Sequence, residues 1–147
     1  MSQLDSLHDL SGKTAVVTGG SRGIGRAIAQ ILAEAGADVV IASRKLDNCV
    51  TAAEEIAETT GRKPLPVACH VGRWDDCNDL VDTTLEHFGR LDILINNAGM
   101  SPLYEDLESI TEDLYDKTFG VNLKGPFRLA VRAGAYMADH DGGSIIN

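Results

Sequence analysis

Three glycines define the first chemistry this sequence could do. In Thr18-Gly19-Gly20-Ser21-Arg22-Gly23-Ile24-Gly25 they fall at Gly-x3-Gly-x-Gly spacing, straight after the β-branched run 13–18 (KTAVVT) and straight before a helical pattern. Glycine lets a backbone turn sharply and approach a pyrophosphate. The free N–H groups and dipole of the following helix then hold the negative charge. The strand–turn–helix frame marks a dinucleotide fingerprint more than an ordinary turn. Gly19, Ser21, Arg22, Gly23, Ile24 and Gly25 are therefore candidate cofactor contacts. Ser11-Gly12-Lys13-Thr14 imitates the tail of a triphosphate-binding loop. Leu7 stands where that loop needs its first glycine, however, and the stretch precedes a strand.

The second candidate cluster decides between coenzymes. A site for NAD places Asp or Glu at the end of the second strand, about 20 residues past the glycines, to take the ribose hydroxyls. Here that place holds Ala42-Ser43-Arg44-Lys45, and Asp38 is at the wrong end of the strand. A carboxylate would repel the 2′-phosphate of NADP, whereas a guanidinium pairs with it bidentately. Arg44 beside Ser43, with Arg22 reaching from the loop, points to NADP(H) as the preferred cofactor with NAD(H) still possible. The alternative is that both arginines are ordinary surface cations. Asp47 could turn towards the ribose, but three residues beyond Arg44 it fits better as the N-cap of the next helix.

These residues need elements to position them, and the chain supplies an alternation. Ile24, Ala27, Ile28, Ile31, Leu32 and Ala35 form an apolar helical stripe that Gly36 closes. Residues 38–43 form a second strand, 47–60 a helix stopped by Gly61, and 65–70 a third strand. Residues 74–88 form a helix stopped by Gly89, 91–96 a fourth strand, 111–138 a long helix, and 144–147 a fifth strand. Near-continuous apolar strands separated by helices make an α/β, doubly wound parallel sheet covered on both faces, order 3-2-1-4-5. With no repeat, low-complexity tract or linker, residues 1–147 form a single domain. The fifth strand reaches the last residue without a crossover helix, which suggests a chain incomplete at that end.

Bulk composition excludes more than it assigns. Lys and Arg total 13 against 22 Asp and Glu, a net charge of −9, in a chain that is 44% hydrophobic. Such a balance argues against nucleic acid or anionic membrane as the main partner. Cys49, Cys69 and Cys77 lack CxxC spacing and suit reduced structural thiols, with no metal site expected. The polar lead MSQLDSLHDLSGK has no apolar signal core, and a cytoplasmic protein is the expectation.

Together the glycine loop, Asn96-Asn97-Ala98-Gly99 after the fourth strand, and Val121-Asn122-Leu123-Lys124-Gly125-Pro126-Phe127 resemble the short-chain dehydrogenase/reductase family across essentially the whole chain. Ala68-Cys69-His70-Val71-Gly72 is similar to a carbonyl- and retinol-reducing, NADP-preferring branch. The resemblance implies a Rossmann-type fold and hydride transfer between nicotinamide and a small-molecule carbonyl or secondary alcohol. It also implies a homo-oligomer, dimer or tetramer, packed through the long helix. It places Asn97, Ala98 and Gly99 along the adenosine ribose, or simply in a tight turn, and brings Val121 near the cofactor. Where the family usually has an Asp for the adenine amine, this chain has His70. A neutral imidazole nitrogen could accept that bond, with the Val71 backbone still available.

The family's proton donor is a Tyr with a Lys four residues on, assisted by a Ser and an Asn. No Tyr-x3-Lys occurs here: Tyr104, Tyr115 and Tyr136 are followed at that distance by Glu108, Phe119 and His140. Only Asn122 can match the tetrad. Pro126 lacks the N–H that would bond the carbonyl four residues earlier, which is that of Asn122. Either this carbonyl is freed for the family's water relay, or the helix is kinked for packing with Asn122 as a buried hydrogen bonder. The chain is thus expected to be the cofactor-binding part of an NADP(H)-dependent enzyme, inactive alone, or else a non-catalytic dinucleotide-binding or regulatory module.

Overall fold

Alternation within the first strand, β1 (Thr14–Thr18), divides the core in two, with Val16 packed on one side and Val17 on the other. The computed structural model describes residues 8–147. Residues 1–7, which include most of the polar lead and Leu7, lie outside the described residues. β2 (Asp38–Ser43) runs parallel to β1 with Val16 opposite Val40, and β3 (Leu65–Ala68) extends the sheet beyond β2. On the other side of β1 lie β4 (Ile93–Ile95) and then β5 (Ser144–Ile146), all parallel. The order is β3-β2-β1-β4-β5, the Rossmann-type order read from the sequence. It reverses between β1 and β4, and a crevice opens beyond the carboxyl ends of the strands at such a switch point.

Helices α1 (Gly23–Glu34) and α2 (Leu46–Thr60) cover the face that carries Val17, Val39, Ile41 and Ile95. Helix α3 (Trp74–Phe88) and the later helix α5 (Gly125–Ala138) supply Leu80, Val81, Leu129 and Ala133 to the face carrying Val16, Val40 and Leu94. Ile41, Ile56, Leu80, Leu94 and Leu129 are fully buried, and each such side chain contributes roughly 1.5–3 kcal/mol of transfer free energy.

The structure corrects three details. The α1 stripe is only partly the buried line: Ile28 and Leu32 pack against the edge of the core, but the fully buried residues are Gly25, Ala29 and Ala33, while Ile24 is 76% and Ile31 62% exposed. Small residues at i, i+4 and i+8 let the helix backbone approach the sheet, so the larger side chains are pushed to its flanks. Asp47 does not cap α2, whose cap is Lys45; it sits in the first turn, where its charge still suits the helix dipole. The long helix is two helices, α4 (Glu112–Phe119) and α5, joined by a π-helical turn over Gly120–Lys124 in which the Gly125 N–H donates to the Gly120 carbonyl. Pro126 cannot extend the ordinary ladder, and the wider turn absorbs the missing donor.

Asp92 locks the base of the sheet. Its side chain, 8% exposed, accepts from the Thr14 N–H at 2.8 Å, from Arg90 Nε at 2.7 Å and from Lys13 Nζ at 3.4 Å. Burial alone would raise its pKa. The Arg90 and Thr14 hydrogen bonds, with the Arg90 and Lys13 charges, outweigh that and hold it below the usual carboxylate value.

Candidate dinucleotide site

The glycine loop takes its shape from β4. Gly19 adopts φ +64°, and the Asn97 Nδ2 group donates to the carbonyls of Thr18 at 3.0 Å and Gly19 at 3.4 Å. The Thr18 hydroxyl donates to the Ile95 carbonyl at 3.3 Å and accepts from the Ala98 N–H at 3.0 Å. A methyl group on Gly25 would run into the Gly19 carbonyl and the Asn97 amide. Gly25 is therefore required so that α1 can begin this close to the loop. Arg22 precedes α1 in an extended conformation and no side chain caps the helix, so the N–H groups of its first turn stay open to an anion.

Every cofactor contact expected from the sequence lies on one cleft of about 740 Å³. Gly19, Ser21, Arg22, Gly23, Ile24 and Gly25 form its floor at the switch point. Ser43 and Arg44 stand at the end of β2, His70 and Val71 at the end of β3, Asn97, Ala98 and Gly99 at the end of β4, and Val121 on the π-helical turn. Neither Arg22 nor Arg44 makes an ion pair among the described residues, and both are exposed on the cleft rim. The cleft also contains Lys45, Asn48, Cys69, Met100 and Ser101, which sequence reasoning did not single out. Lys45 was legible as a second cation beside Arg44, but nothing in the spacing marks Asn48 or Met100. Thr18 was missed as a clamp, although a hydroxyl ending an apolar strand is the kind of signal that could have shown it.

At the β3 end the loop is tightly bonded. The His70 N–H donates to Asp76 Oδ2 at 2.8 Å, and the Gly72 N–H donates to His70 Nδ1 at 3.1 Å. Gly125 presses against the Val71 carbonyl, which also accepts from Cys77 Sγ at 3.3 Å. Among the described residues the Val71 N–H has no partner. Cys49, Cys69 and Cys77 are buried free thiols. Hydrogen bonding in which Cys69 keeps its proton toward Cys77, together with burial, pushes the Cys69 thiol far above its ordinary pKa. A buried, protonated sulfur of this kind is a poor nucleophile.

Asn122 stands apart from the cleft lining. It is exposed, and its amide makes a two-way clasp with Met100: Oδ1 accepts from the Met100 N–H and Nδ2 donates to the Met100 carbonyl, both at 2.8 Å. The reading of Asn122 as a buried hydrogen bonder is thus corrected, since its side chain secures the segment leaving β4 from the surface.

The match of this geometry to known proteins is extensive. A family model described as short chain dehydrogenase matches residues 13–147. The chain belongs to that family. It is 38% identical over 135 residues to dehydrogenase/reductase SDR family member 4 of Caenorhabditis elegans, covering 92% of this chain and 52% of that protein. It is 39% identical over 143 residues to the human mitochondrial dehydrogenase/reductase SDR family member 2, covering 97% and 51%. A short-chain type dehydrogenase/reductase from Mycobacterium marinum superposes with TM-score 0.91 at 38% identity, over 99% of this chain and 58% of the other. A metagenomic short-chain oxidoreductase in complex with NADP gives 0.90 at 36% identity, over 94% and 62%. The chain spans about half the length of the curated relatives it matches.

Proposed function

We propose that this chain is the cofactor-binding part of an NADP(H)-dependent oxidoreductase that exchanges hydride with a small-molecule carbonyl or secondary alcohol. One observation carries the reading: Arg44 stands unpaired at the β2 end of the cleft, where an NAD site needs a carboxylate and this chain has none, and Arg22 of the glycine loop is exposed and unpaired on the same cleft. The cradle fits the rest of the molecule, because Gly19 and Gly25 leave backbone space for a pyrophosphate at the open first turn of α1. The nicotinamide would supply the hydride. This chain's residues would grip phosphates, seat the base and, through the Asn122–Met100 clasp, hold the wall of the cleft that continues towards the reacting end.

In this reading residues 1–147 form one dinucleotide-binding domain of a cytoplasmic protein, and Asn122 takes the family's catalytic position through its main-chain carbonyl. No helix among the described residues is long and apolar enough to cross a membrane. Tyr115, Phe119, Leu123, Phe127 and Val131 expose apolar surface along α4, the π-helical turn and α5, which supports assembly with a second copy. The proton donor and its tuning cation are absent from the sequence given, so the chain should bind the cofactor without turning over a carbonyl. The test is a fluorescence titration of the purified chain with NADPH and NADH. NADPH should bind about tenfold or more tightly, as a charge-assisted contact warrants. Equal affinity would overturn the coenzyme assignment, and steady NADPH oxidation with an aldehyde would overturn the division of labour.

A further inference from the structure

The base end of the cleft is furnished with donors and no acceptor at His70. If the pyrophosphate sits over α1 and the 2′-phosphate at Arg44, the base falls against His70 and Val71, so this inference rests on the NADP(H) reading. Adenine shows two kinds of group there: a 6-amino donor and ring-nitrogen acceptors. A neutral imidazole has one acceptor nitrogen and one N–H. In this structure the Gly72 N–H donates to Nδ1 at 3.1 Å, and that occupies the lone pair. The proton of the neutral ring therefore resides on Nε2.

Two further observations hold the ring in this state. A Cβ on Gly72 would lie 3.0 Å from His70 Cε1 and 3.2 Å from Nδ1, so the ring edge lies close against Gly72, and any side chain there would press on it. The His70 N–H is itself bonded to Asp76 Oδ2, which fixes the main chain carrying the ring and uses the nearby carboxylate oxygen. Nε2 has no partner among the described residues, while His70 lines the cleft. Beside it, the unpaired Val71 N–H is a second donor.

We propose that His70, locked by Gly72 as the Nε2–H tautomer, makes this pocket select its purine by the ring-nitrogen acceptors and leaves the 6-amino group unrecognised. A carboxylate at the same place would do the reverse, accepting from the amine in a charge-assisted bond. Asn48, on the first turn of α2, is a further cleft side chain able to accept, and the test separates it from His70.

Two measurements decide the matter. Nitrogen-15 NMR of the ligand-free protein should show His70 Nδ1 as the bare nitrogen and Nε2 as the protonated one; the opposite tautomer overturns the proposal. Adenosine 2′,5′-bisphosphate and its analogue with hydrogen replacing the 6-amino group are then compared by calorimetry. The unmodified protein should bind the two within about fivefold, whereas His70→Asp should favour the amino form by about tenfold or more. A preference of about fivefold or greater in the unmodified protein sinks the idea. So does an unchanged ratio in His70→Asp, or a ratio that responds to Asn48→Ala instead. In all three cases the NADP(H) reading stands, because both bisphosphates still bind. Failure of both bisphosphates and of NADPH to bind removes the NADP(H) reading and this inference with it.

Discussion

Around the glycine loop the backbone is held by distant parts of the chain: Asn97 bonds the Thr18 and Gly19 carbonyls, and Thr18 bonds β4 and its exit. The surface from the loop after β4 through α5 is the opposite. Leu103 is 99% exposed there, Leu107, Leu123 and Phe127 are also open, and the Asn122 clasp on Met100 is made at the surface. The first region has its loop carbonyls bonded while its arginines and the first-turn N–H groups of α1 stay open, and the second exposes large apolar side chains. The difference is one of partnering, between carbonyls bonded across the sheet and apolar side chains that face outward.

The hardest blow to that contrast is Gly25→Val. Its side chain would meet backbone at Gly19 and the Asn97 amide, so NADPH binding should vanish and stability should fall by about 3 kcal/mol, checked by titration and urea unfolding. Undiminished binding would show that α1 does not need its close approach. Arg44→Asp should leave the fold intact while moving preference towards NADH by roughly 1–3 kcal/mol, read as the ratio of the two dissociation constants.

Asp92→Asn probes the sheet's base, far from the cleft, and should cost about 1–2 kcal/mol at neutral pH. Because the folded pKa of Asp92 lies below its ordinary value, its contribution is fully present above about pH 4. It is lost as pH falls from there through the folded value. Unfolding curves of the variant and the unmodified protein should therefore converge on acidification, and parallel curves would deny the shift. Least of all, Phe127→Ser on the open surface should change NADPH affinity by less than about twofold and stability within about 0.5 kcal/mol. A larger loss of binding would mean the two regions are coupled.

The sheet order and the cleft were legible in the sequence because they rest on strong local signals. Apolar strands, helix-stopping glycines at 61 and 89, and the placement of Gly19, Gly23 and Gly25 each specify backbone locally. What was not legible depends on approach between segments. Ile24 and Ile31 satisfy the helical period, yet burial went to Gly25, Ala29 and Ala33, because helix–sheet distance is a tertiary quantity. The π-helical turn needed both Pro126 and the contacts that accept an extra residue. The tautomer of His70 depends on where the Gly72 N–H points, which no residue pattern encodes.

The Asn97 amide bonds to carbonyls 79 and 78 positions earlier in the chain, and the Ala98 N–H to a hydroxyl 80 earlier. During synthesis the loop is therefore made early and shaped late. While α1 and β2 emerge from the ribosome, the Thr18 and Gly19 carbonyls have only water to bond. They acquire their final partners once β4 has docked beside β1, after three further crossovers have been made. The finished shape of the loop is thus a timed property of the nascent chain, arriving with Asn97 rather than with the glycines.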